Sequence, residues 1–109
     1  MYEYRATIVR VIDGDTVVAD IDLGLRVWAR GQMIRLAGIN APEMTGESKE
    51  DGEHAKEFLE LVILNKTLVV RTQKDQTEKY GRWLGTIVLP EGDTVNQLMI
   101  EAGHAVRMR

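Results

Sequence analysis

With 109 residues the chain has material for one hydrophobic core, and its 44% hydrophobic and 28% charged residues exclude a disordered or fibrous protein. Cysteine is absent, which removes disulfides and thiolate metal sites. The net charge of −3 argues against non-specific coating of nucleic acid.

The opening MYEYRATIVR carries Glu3, Arg5 and Arg10 where a signal peptide needs its apolar run, and no segment reaches membrane-spanning length. A soluble cytoplasmic protein is the expectation. Residues 3–12, rich in Val, Ile, Thr and Tyr, read as a strand with one buried face, and Asp13-Gly14 supplies a turn. Residues 16–22 and 33–39 read as the second and third strands, joined through LGLRVWARGQ with Gly24 and Gly31 as bend points. Pro42 and Gly46 lie in a polar loop, after which Ala55, Phe58, Leu59, Val62 and Ile63 form one apolar helix face. That helix, of about three turns, is expected to end near Asn65. Seven acidic residues against two lysines between Glu43 and Glu60 give it a solvated acidic face and leave the remaining chain slightly basic. Arg35, Lys74, Lys79 and Arg82 are then candidates for a face that meets phosphate.

Residues 67–73 and 82–89 read as two further strands around the polar loop KDQTEKYG, closed by Pro90 and Gly92. Thr94 and Gln97 have capping-box spacing, Val95, Leu98, Met99 and Ala102 make an apolar stripe, and Gly103 is a C-terminal cap. The fold class is α+β and β-rich, and five strands with a helix between strands three and four and a second helix near the C-terminus is the arrangement of an OB-fold barrel, although the count alone also suits other small α+β folds.

Three separated stretches carry the chemistry: VIDGDT (11–16), IRLAGINAPE (34–43) and KYGR (79–82). They put oxygens of Asp13, Asp15, Asn40 and Glu43, with Arg35 and Arg82, where strands end and loops begin. Metal-assisted phosphodiester hydrolysis needs those groups. Calcium takes carboxylate, amide and main-chain carbonyl oxygens, all offered by Asp15, Asn40 and the 40–43 loop. Arginine presents a planar fork that fits phosphate oxygens, and Glu43 can serve as base if it reaches the attacking water.

Each motif alone has a plainer reading. Asp13-Gly14 makes a hairpin turn in which Asp15 and Thr16 satisfy main-chain donors; Pro42-Glu43 is a solvated loop turn; Arg35 and Arg82 pair with surface acids. Their joint occurrence turns the balance toward a site. DGDT is not an EF-hand, because its glycine falls second rather than sixth. Glu47-Ser48-Lys49 sits in a loop where an E-x-K nuclease motif needs a strand. His54 and His104 are solitary, which argues against zinc, and Trp28 and Trp83 read as core or barrel-closing residues rather than base platforms.

In order and separation, VIDGDTV, IRLAGINAPE, DQTEKYGRWLG and VNQLMIEAGHAV resemble the staphylococcal nuclease (thermonuclease) family, from about Arg5 to the end of the chain. The resemblance implies one domain over residues 1–109 that uses calcium to hydrolyse DNA or RNA, leaving 3′-phosphate and 5′-hydroxyl ends. It implies Asp15, Asn40 and the Ala41 main-chain carbonyl as calcium ligands and Asp13 as a supporting carboxylate outside them. Glu43 would orient or deprotonate water, Arg35 and Arg82 would bind phosphate, and Lys79 and Tyr80 would lie near the bound nucleotide. The expected partner is a nucleic-acid strand, with no membrane and with a monomer, or else a dimer, as the assembly.

Three departures stand out. Asn40 occupies a position where the best-known enzyme has aspartate, Ala41 replaces a threonine, and the sequence ends soon after the second helix where the archetype continues into a third. A compact version of the domain, or one that gains burial from a partner subunit, is the expectation. The alternative is a weakened or inactive module of the same fold that binds nucleic acid or protein.

Overall fold

The computed structural model describes residues 2–77 and 81–108, with residues 73–77 described by their backbone. The N-terminal alternation becomes β1 (Tyr2–Asp13), β2 (Thr16–Asp22) and β3 (Trp28–Leu36). A two-residue strand, β4 (Ile39–Asn40), precedes helix α1 (Lys49–Ile63), followed by β5 (Thr67–Thr77) and β6 (Trp83–Val88). Helix α2 (Val95–Glu101) and β7 (Val106–Arg107) complete the order. The barrel closes as β1-β2-β3-β6-β5, antiparallel at every seam except the parallel β3–β6 pair. It is the expected five-stranded OB-fold arrangement, with α1 between the third and fourth barrel strands.

Inward-facing Ile8, Val17, Ile34, Leu36, Val70 and Ile87 fill the barrel, and all are at most 1% exposed. Ala55, Leu59 and Ile63 of α1 and Val95 and Met99 of α2 join the same core. α1 meets the barrel where β1 turns into β2: a Cβ built on Gly14 would lie 2.7 Å from Ala41 Cβ and 2.8 Å from Ala55 Cβ. Gly14 therefore serves close approach as well as the turn.

The third strand begins five residues earlier than the sequence suggests and stops at Leu36. Gly31, read as a bend point, lies inside it at φ +65°, next to a register shift opposite Ala19–Ile21. Its N–H and the Arg30 guanidinium both donate to the Asp20 carboxylate, so the residue makes a bulge that the strand survives. Gly38 at φ +77° then turns the chain into β4, which pairs with β7 through Ile39–Arg107 and Asn40–Val106. Two-residue strands carry no periodicity, so nothing in the sequence marked them. α1 has 15 residues, about four turns rather than three, and ends at Ile63; Asn65 at φ +65° follows and donates its N–H to the Ile8 carbonyl.

In α2, Thr94 Oγ1 accepts the Gln97 N–H and Gly103 turns the chain at φ +80°, as the capping pattern implied. The stripe is buried at Val95 and Met99, while Ala102 falls beyond the helix and is exposed. Trp28 corrects its sequence reading: it is 38% exposed on the barrel exterior, under the Arg30 guanidinium. Among the described residues no helix is long and apolar enough to cross a membrane.

Candidate active site

The β1–β2 turn folds around Asp13, whose Oδ1 accepts the Asp15 N–H at 3.0 Å. This delivers the Asp15 side chain, only 8% of the residue being exposed, toward the chain that leaves β3. Asp15 Oδ2 accepts the Ala41 N–H at 2.9 Å and lies 3.4 Å from Arg35 Nη2, while Oδ1 accepts the Thr16 hydroxyl at 3.2 Å. The Asp15 main-chain carbonyl accepts the Leu36 N–H at 2.8 Å. One residue thus ties the turn both to the end of β3 and to the start of the 41–48 loop.

Ile34 and Leu36 point inward, so Arg35 leaves β3 on the outer face; it is nevertheless 9% exposed, because Asp15 and β4 fold over it. Its Nη1 donates to the Leu36 carbonyl at 2.8 Å and its Nη2 to Asn40 Oδ1 at 2.9 Å. Asp15, Asn40, Ala41 and Arg35 are therefore brought together. Burial, reinforced by the adjacent Asp15 carboxyl, raises the Asp13 carboxyl from 3.8 to about 6.

Glu43 is exposed, and its position is set through its backbone. Ser48 Oγ donates to the Glu43 carbonyl at 2.8 Å. Behind that carbonyl lies Gly52 of α1, where a built Cβ would come within 2.5 Å of Glu43 O, 2.8 Å of Glu43 C and 2.9 Å of Pro42 O. Arg82, half-buried, directly precedes β6 and stands two residues before Leu84, the register partner of Arg35. Lys79 and Tyr80 lie outside the described residues.

Sequence reasoning missed two positioning residues. Gly52 left a signal, a glycine within an otherwise good helix pattern, which costs about 1 kcal/mol unless something needs the space. Asn96 left none. It is 6% exposed on α2, accepts the Ile87 N–H and donates to the Ala37 and Gly85 carbonyls, pinning the turn before Asn40 against β6.

Among the described residues no three His, Cys, Asp or Glu side chains cluster as a metal site. The oxygens brought together are instead one carboxylate, of Asp15, and one amide, of Asn40, while Ala41 meets Asp15 through its N–H. Asp15 Oδ2 and Asn40 Oδ1 already gather on a single positive nitrogen of Arg35, so these hard oxygens fit a hard cation, with only Asp15 supplying direct negative charge. His104 stacks on Phe58 at 4.8 Å between ring centroids, which agrees with a packing role.

A family model of staphylococcal nuclease homologues matches residues 33–109. The chain belongs to that family. Its relatives include an uncharacterized endonuclease of Escherichia coli O157:H7, 36% identical over 104 residues that cover 94% of this chain and 60% of that protein. Protein ParB of Escherichia coli is 32% identical, over 94% of this chain and 56% of its own length. The thermonuclease of Staphylococcus hyicus is 29% identical, over 94% and 59% respectively. The chain thus spans 60% or less of the length of these relatives. Names among these relatives include endonuclease and thermonuclease beside ParB.

Proposed function

We propose that the chain, acting as one domain, is a metal-dependent nuclease that hydrolyses phosphodiester bonds of DNA or RNA and leaves 3′-phosphate ends, with calcium as its ion. The observation that supports this most is the convergence of Asp15, Asn40 and Ala41 around Arg35, beside a loop that carries Glu43. Asp15, Asn40 and the Ala41 carbonyl would hold the ion, which when bound polarises the phosphoryl oxygen. Asp13 would steady Asp15 from behind through its main-chain amide.

Arg35 and Arg82 bind the phosphate, and their charge gains value as negative charge grows in the transition state. Glu43, exposed and without a side-chain partner among the described residues, can accept a proton from an attacking water or fix its direction. Lys79 and Tyr80 are assigned to the nucleotide. For Arg35 to reach substrate, its Nη2 has to leave Asn40, and the same movement releases the Asn40 oxygen.

That coupling also supports a second reading. An amide in place of a carboxylate, spent on Arg35, suits a module that has kept the fold and binds nucleic acid or protein without cutting it. Hydrolysis of single-stranded DNA and RNA across a calcium series, with a chelator control and with Glu43→Ser and Arg82→Ala alongside, separates the two. Calcium-dependent cleavage lost in both variants is the expected result; binding without cleavage by the folded chain would favour the module.

A further inference from the structure

One end of the barrel is covered by α1, and at the other end every barrel strand turns a residue inward around a cavity of about 200 Å³. Tyr4, Ile21, Ala29, Gln32, Thr72 and Trp83 form its wall. We infer that this mouth is a subsite for one nucleobase of the strand whose phosphate Arg82 holds. The inference rests on the nuclease reading for the identity of the strand.

Three features carry it. Among the described residues, Thr72 Oγ1 is the buried side-chain polar atom without a hydrogen-bond partner, although the residue is only 5% exposed and lines the cavity. Buried hydroxyls are rarely left unpaired, and a ligand edge would supply the partner. A hydroxyl both donates and accepts, so it suits the mixed edge of a heterocycle.

The second feature is a wall fixed in advance. Trp83 Nε1 donates to Gln32 Oε1 at 2.9 Å, and Gln32 Nε2 donates to the Arg30 carbonyl at 3.0 Å. Both polar ends of Gln32 are engaged and the indole is held in place. The wall offered to a ligand is apolar and partly aromatic, and the Thr72 hydroxyl, whose oxygen is closed to solvent, meets a base edge by turning about χ1 toward the cavity, which gives the pairing of stacking surface and polar contact that bases use.

The third is size and position. The cavity is smaller than the roughly 300–1,000 Å³ of sites for larger ligands, so it takes a base and leaves sugar and phosphate outside. Trp83 packs inward and directly follows Arg82. Arg82 stands two residues before Leu84, the register partner of Arg35. A strand that passes Arg82 runs along the rim of the mouth.

The test is a titration of the isotope-labelled chain with uridine and with adenosine, read at the Trp83 indole N–H resonance assigned with Trp28→Phe, and with free ribose as control. A saturable shift with nucleoside and none with ribose is expected, weakened roughly five- to tenfold in Thr72→Val. Ala29→Leu, which fills the mouth, should lose the shift while its other resonances report an intact fold. In cleavage assays, an abasic residue beside the scissile phosphate should raise KM for the natural chain and leave KM of Ala29→Leu unchanged. No saturable shift, or equal affinity in Thr72→Val, overturns the subsite. Cleavage with a silent Trp83 resonance removes the subsite and leaves the nuclease reading intact; nucleoside binding by a chain that cuts nothing does the reverse.

Discussion

Replacing Gly52 by alanine tests how α1 positions Glu43. The added methyl would sit 2.5 Å from the Glu43 carbonyl oxygen and 2.9 Å from that of Pro42, and both obstacles are backbone, with no flexible side-chain end to swing away. Restoring an ordinary contact near 3.5 Å requires the loop to retreat by about 1 Å. In an unhindered helix the change would gain roughly 1 kcal/mol of propensity. The overpacking costs about 1–3 kcal/mol, so stability falls by at most about 2 kcal/mol and the fold persists. On the proposed role of Glu43, activity is the sensitive quantity, because a displacement of that size at a catalytic group costs on the order of 10²-fold. Urea unfolding and initial rates on single-stranded DNA should therefore separate, with a small change in the first and a large loss in kcat. A Gly52→Ala chain that keeps full kcat would refute the claim that this glycine sets the position of Glu43.

Asn40→Asp places a second carboxylate on the Arg35–Asp15 pair and should tighten calcium binding by about tenfold in a calorimetric titration, since ligand charge sets calcium affinity; an unchanged Kd removes Asn40 from the ligand set. The Asp13 carboxyl, raised from 3.8 to about 6, binds its proton more tightly folded than unfolded, so its contribution to stability declines as pH rises through that window and stays lost above it. Asp13→Asn keeps an acceptor for the Asp15 N–H, and in metal-free urea titrations it should gain on the natural chain by roughly 1–2 kcal/mol between about pH 4 and pH 7; a constant difference would show that the carboxyl is not strained. Asn96→Ala strands the Ile87 N–H and weakens the hold on the Ala37 and Gly85 carbonyls, for a loss of about 3 kcal/mol in urea unfolding, whereas a loss under 1 kcal/mol would mean that water replaces the amide.

The strands and helices that bury a face were legible because burial imposes a period. Ala55, Leu59 and Ile63 recur along α1, and Ala6 and Ile8 alternate in β1, as the sequence implies. What escaped was structure without a period of its own. The β4–β7 pair is two residues deep, and Gly31 works as a bulge only because Asp20 of the neighbouring strand accepts its N–H. The site divides in the same way. Asp15, Arg35, Asn40 and Ala41 could be named from their motifs, yet the bonds among them join residues 5 to 26 positions apart, and no local pattern encodes which oxygen meets which nitrogen. Thr72 is the extreme case, an ordinary strand residue whose proposed role arises from its lack of a partner among the described residues.

Asp15 also shows why the plain and the chemical readings of DGDT are not alternatives. The turn reading asks Asp15 to satisfy main-chain donors, and it does accept the Ala41 N–H. That bond fixes Ala41 and so helps to set where the chain toward Glu43 begins, while the same carboxylate faces Arg35 and the Asn40 oxygen. A buried carboxylate that holds a loop and balances a guanidinium is already organised for a cation, because its desolvation has been met during folding. The departure at Asn40 then acts on a side chain that the fold holds lightly: Asn40 is exposed and its side-chain oxygen meets Arg35 alone among the described residues. On the proposed metal-binding role of Asn40, the loss of a negative charge there would lower ion affinity without loosening the scaffold, so a weakened site and an intact barrel would be compatible in one chain.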